Sequence, residues 1–162
     1  MSQVSKLSFE TFEDNDSFVV ILKGQICHPD DFKTIKVPSY KPLHLHLKTV
    51  RMISSIGIAA WIKWMETLSE LPEIKIFEAS KAMVDQFNMV QNFLPKQSKV
   101  HSFYAPFWSE KTEEDKLGLL VYGDHFRDGT LIQLPKVYDS EGHEMDLDIV
   151  PEKYFRFLKA NT

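Results

Sequence analysis

Apolar and polar residues change rhythm along this chain, and the rhythm predicts its elements. Leu7 to Glu13 (LSFETFE) alternates with the period of a strand that has one wet face. Asp14-Asn15-Asp16 supplies turn chemistry. Ser17 to Ile26 (SFVVILKGQI) is apolar enough for a central strand, and the two strands form a hairpin. Gly24 marks a bulge or a close backbone contact. Cys27 to Tyr40 is a connector with Pro29 and Pro38, and a short helix is expected over Asp30 to Val37. Leu43 to Leu47 alternates Leu and His, which puts His44 and His46 on one face. A small-residue turn with Ser54, Ser55 and Gly57 leads into a helix over Ile56 to Leu71. Its stripe is Ile58, Ile62, Met65 and Leu68/Ser69, widened by Ala60, Trp61 and Trp64, and Leu71-Pro72 ends it. Glu73 to Glu78 is the next strand. Ser80 caps a helix to Leu94 with Met83, Phe87, Val90 and Leu94 as its stripe, and Lys99 to Phe103 starts another strand.

Leu43 to Phe103 thus runs strand, helix, strand, helix, strand. Each crossover is long enough for a right-handed βαβ unit, which makes these strands parallel. The fold class expected is α/β: a mixed sheet with parallel crossovers, helices on one side, and a small C-terminal β-rich extension ending in a helix. The expected boundaries are 1–107 for the α/β domain and 108–162 for the extension. In the extension, Trp108 to Lys116 is a charged connector. Leu117 to Gly123 pairs with Thr130 to Leu134 as a hairpin, Tyr138 to Gly142 turns, and Met145 to Ile149 is a short strand. PEKYFRFLK, from Pro151, is a docked helix.

Composition narrows the function classes. The chain has 162 residues, 43% hydrophobic and 26% charged, which suits one globular domain with or without an appendage. Its net charge of −4 argues against broad binding to a nucleic-acid backbone, which needs a basic surface. Cys27 is the sole cysteine, so no intrachain disulfide forms. The first residues lack an apolar signal core, and no run is long enough to cross a bilayer. The expected location is cytoplasmic, with no cofactor.

No catalytic signature stands out. G-x-S-x-G, P-loop and G-x-G-x-x-G patterns are absent, and His143-Glu144-Met145-Asp146 lacks the zincin spacing. The acidic groups at Asp14, Asp16, Asp30, Asp31 and Glu113 to Asp115 fit solvated loops. His44 and His46 at i, i+2 form a metal pair only with a third ligand, which the sequence does not place beside them. Ser54 and Ser55 open two readings: a helix N-cap, or an acceptor of regulatory phosphate at a helix N-terminus. Trp61 and Trp64 with Met89 exceed what one helix stripe needs, which leaves core packing or a partner surface open.

Four stretches carry a resemblance. They are Gly24-Gln25-Ile26, LHLKTVRMISSIGIAAWI, EIKIFEAS and the helix from Val84 to Leu94. Together they resemble the STAS family, the sulfate-transporter and anti-sigma-factor-antagonist domains, over roughly Ser17 to Phe103. The family's turn reads Asp-Ser-Ser-Gly; here it is Ser54-Ser55-Ile56-Gly57, so the usual phosphate acceptor falls on Ile56. The resemblance implies a non-enzymatic bacterial signalling protein without the usual phospho-switch. Its partner would be a kinase-like anti-sigma factor or another STAS protein, met at Ser54, Ser55, Ile56 and Gly57. Trp61, Trp64 and Met89 are a further possible interface. A small-ligand or nucleotide module and a homodimeric scaffold are the alternatives.

The C-terminal part resembles a tail, found in some STAS-like proteins, that carries two CxxC pairs. Ser102 to Phe107 and Met145 to Leu158 fit that frame, with Ser109 and Thr112, then Tyr138 and Glu141, where the cysteines would be. A four-thiolate zinc site is impossible with one cysteine. Tyr122, Phe126, Tyr138, Tyr154, Phe155 and Phe157 are expected to pack in its stead.

Overall fold

A computed structural model of the chain describes residues 6–161. β1 (Ser8–Glu13) and β2 (Phe18–Ile26) form the expected hairpin. Asp14 closes its turn, accepting the N–H groups of Asp16 and Ser17 at 2.8 and 2.7 Å. β3 (Leu43–Ile53), β4 (Ile74–Phe77) and β5 (Ser98–Val100) follow, in a five-stranded sheet of order β1-β2-β3-β4-β5. From β2 to β5 the neighbours are parallel, because the connector after β2 and the helices α1 (Ser55–Thr67) and α2 (Lys81–Met89) each carry the chain back.

Several local expectations change. Residues 28–34 form successive turns, not a helix, and 35–38 have no regular structure: Asp31, Lys33 and Ile35 donate to His28, Asp30 and Phe32, three residues back. β3 runs to Ile53, so no turn interrupts it after Leu47. In α1 the buried face is centred on residues expected only to widen the stripe. Gly57, Ala60, Trp61, Trp64 and Met65 are buried, while Ile58 and Ile62 are half-buried. The close seat of Gly57 on β2 decides which face turns inward. α2 ends at Met89, and Val90 is already extended (ψ 115°).

Leu43, Leu45 and Leu47 point into a core with Trp61, Met65, Met83 and Phe87, so both helices cover that face. On the opposite face His46 stacks on Phe77 at 4.9 Å, with His44 and His101 at 5.2 and 4.9 Å from the same ring. Burial, and Lys75 nearby, hold the pKa values of His44 and His101 below the usual imidazole value.

The C-terminal part is built differently from its expected plan. β6 (Ser102–Ser109) pairs antiparallel with β7 (Glu114–Val121), so residues 108–116 are strand ends and a turn, not a connector. β6 alternates buried Phe103, Ala105 and Phe107 with half-buried Tyr104, Pro106 and Trp108. Pro106 hides the strand in the sequence, since proline is rare inside sheets. Gly118 leaves the space that the Phe107 ring and Val137 fill; a Cβ there would lie 2.5 Å from the ring. The next hairpin is β8 (Phe126–Arg127) with β9 (Thr130–Leu131), not residues 117–123 with 130–134. β10 (Asp146–Leu147) pairs with β6, and α3 (Pro151–Tyr154) and α4 (Leu158–Asn161) follow.

The two parts share one core. The boundary expected at 107 falls inside β6, and Ala79 pairs with Phe103 beside the end of β4. Phe103 contacts the rings of Phe126, Phe155 and Phe157. Asn88 of α2 donates to Tyr154 O at 2.8 Å and accepts from Phe157 N–H at 2.8 Å. The Tyr154 hydroxyl donates to the Tyr104 carbonyl, and its burial raises the phenol pKa. Among the described residues no helix is long and apolar enough to cross a membrane.

Candidate functional site

The turn between β3 and α1 is set by one carbonyl. Ile26 O accepts the Ser54 N–H at 2.9 Å, and the Gly57 Cα lies so close that a Cβ would sit 2.0 Å from that oxygen. Ser54 is the N-cap of α1: its backbone is extended (φ −86°, ψ 172°), and its Oγ accepts the Gly57 N–H at 3.1 Å. Its carbonyl accepts from Ile58 N–H at 2.8 Å. Ser54 is therefore committed to structure. Ser55 is exposed, and among the described residues its hydroxyl has no partner. Ile56 projects outward, 57% exposed, and Met52 at the end of β3 is 40% exposed. No acidic side chain lies in the first turn of α1, so none from the helix itself offsets the positive end of its dipole.

Of the site residues expected from sequence, Ser54, Ser55, Ile56 and Gly57 thus lie together at the carboxyl ends of β2 and β3. The second group separates. Trp61 is fully buried, stacked on Phe93 at 5.1 Å, with its indole N–H donated to Phe93 O at 2.9 Å. Trp64 is 6% exposed and stacked on Phe32 at 4.5 Å. Both indoles pack in the core under the connector. Met89 is 75% exposed at the end of α2.

Sequence reasoning missed a polar centre. The Asp139 side chain is wholly buried. Ser109 donates to it at 2.6 Å and Thr112 at 3.2 Å, and the N–H groups of Glu141 and His143 donate at 2.9 Å each. His143 Nδ1 lies 3.2 Å from the same carboxylate. Burial alone would raise the Asp139 pKa; the bonds from Ser109, His143 and Glu141 outweigh it and hold the carboxyl far below its ordinary range. Ser109, at the end of β6, and Thr112, in the turn after it, share Asp139 as their partner. Tyr138 is 47% exposed and Glu141 is exposed, as is Tyr122 at 39%. Phe126, Tyr154, Phe155 and Phe157 are buried.

Serine, aspartate and histidine together suggest a nucleophilic triad, but the connectivity differs. In a triad the serine hydroxyl meets the imidazole and the carboxylate orients that ring. Here the Ser109 hydroxyl is spent on the carboxylate itself and is 4% exposed. The arrangement fastens two loops. The signal for it was the run of S-x-x-T and D-x-x-G at matching spacings.

Comparison with protein-family models, curated proteins and solved structures finds no match to this chain.

Proposed function

We propose that the chain is a non-enzymatic, STAS-like protein-binding module of a bacterial signalling system. Its partner is a kinase-like anti-sigma factor or another STAS protein. Docking uses the head of α1, and the observation that supports it is the exposed Ile56 beside the free Ser55 hydroxyl, on a turn fixed by Gly57. An outward-facing isoleucine on a rigid turn has no role in its own core and suits a partner's apolar pocket. With Ile56 at the usual acceptor position, docking is constitutive.

The test is quantitative pull-down from source cells with wild-type, Ser55→Asp and Ile56→Glu baits. A kinase-like or STAS partner recovered by wild type and reduced at least tenfold with both variants supports the reading. Equal recovery by all three baits, or recovery of the chain alone, overturns it.

One observation favours a small-ligand module as the second reading. A pocket of about 360 Å³ at the β5 edge is lined by Lys75, Lys99, His101 and Tyr122 with Glu73 and Asp128. Saturable thermal stabilisation by mononucleotides would support that reading.

A further inference from the structure

A different surface carries a second inference. α2 and α3 flank an open cleft of about 630 Å³. Two apolar side chains stand out of it, Met89 at 75% exposure and Val150 at 54%. Neither belongs to the core cluster. The cleft is also lined by three cations, Lys81, Lys153 and Arg156, and by one carboxylate, Asp85. That carboxylate is already matched, since Lys81 pairs with it at 2.8 Å. Among the described residues Lys153 and Arg156 have no acidic partner.

The charge balance is local and opposite to that of the whole chain. The protein carries −4, whereas three cations against one carboxylate leave the cleft at +2. Exposed apolar anchors beside unmatched cations are the complement of a peptide that alternates apolar and carboxylate side chains. Met adapts its shape to varied apolar partners, which suits a short docking segment.

We propose that this cleft binds an acidic, apolar-anchored linear segment of a partner protein. Met89 and Val150 take the apolar side chains, and Lys153 and Arg156 take the carboxylates. The surface is separate from the head of α1, and the proposal stands whether or not that turn docks a partner.

The probe is a displayed library of random 16-residue peptides selected on the full chain. Selected clones are then measured by fluorescence anisotropy against wild type, Met89→Asp, and Lys153→Glu with Arg156→Glu. All three positions are exposed, and thermal melting verifies that each variant folds. The expected result is enrichment of Asp and Glu interleaved with Leu, Phe or Trp. Affinity falls at least tenfold in both variants, and the loss in the charge-reversed one shrinks at high salt. Ile56→Glu binds the same peptides as wild type does, which separates this cleft from the turn. Four outcomes overturn the proposal: no enrichment, enrichment without an acidic bias, binding indifferent to Met89→Asp, or a wild-type dimer that Met89→Asp dissolves. The last assigns the cleft to a second copy of the chain.

Discussion

Replacing Gly57 with alanine places a methyl carbon 2.0 Å from the Ile26 carbonyl oxygen. Neither side of that contact can yield cheaply, since one is a helix backbone and the other a strand end whose carbonyl also holds Ser54 N–H. We expect Gly57→Ala to cost about 3 kcal/mol or more, read as a lower urea midpoint. A loss under about 0.5 kcal/mol would mean that α1 can shift away from β2. Ser54 shows how far single residues were legible. A serine before an apolar helical run signals a cap, and the cap is there. The purpose of Gly57 was not legible, because its neighbour lies 31 positions earlier and no local pattern reports that approach.

Elements were legible where their periodicity was local. The β1–β2 hairpin and the strand–helix alternation from β3 to β5 follow from period and caps alone. The centre of the α1 buried face did not follow. Isoleucines and tryptophans compete for the inside, and the seat of Gly57 on β2 settles which side wins. β6 and β7 were obscured for two reasons: Pro106 interrupts the first, and charged Glu114, Asp115 and Lys116 begin the second. Asp139 joins the β6–β7 turn to the loop before β10, and no local pattern singles this residue out. Folding lowers the pKa of this carboxyl from 3.8, so below pH 4 the unfolded chain holds more protons than the native state. Its stabilising contribution is complete above that range and declines as pH falls toward the folded value. We expect Asp139→Asn to melt well below wild type at pH 7, with the gap narrowing as pH drops under 4. A constant gap across thermal melts from pH 7 to pH 3 would show that the negative charge is not what joins the loops.

At the scale of the molecule, the residues beyond Val150 complete the core. Tyr154, Phe155, Phe157 and Leu158 are buried, and Asn88 ties them to α2 across 66 and 69 positions of sequence. Removing them bares Phe87 and Phe103, so a chain cut after Val150 is expected to be aggregated or loosely packed. Far-ultraviolet circular dichroism would retain its shape while the near-ultraviolet aromatic signal is lost. A truncated chain that melts cooperatively would show that the α/β part folds alone. The same ties bear on biosynthesis. As the chain is made, its sheet and first two helices exist before the residues that cover them. Phe87 and Phe103 then stay uncovered until translation has passed Leu158. During that interval the nascent chain offers aromatic surface to whatever is nearest, which makes the incomplete chain the aggregation-prone form.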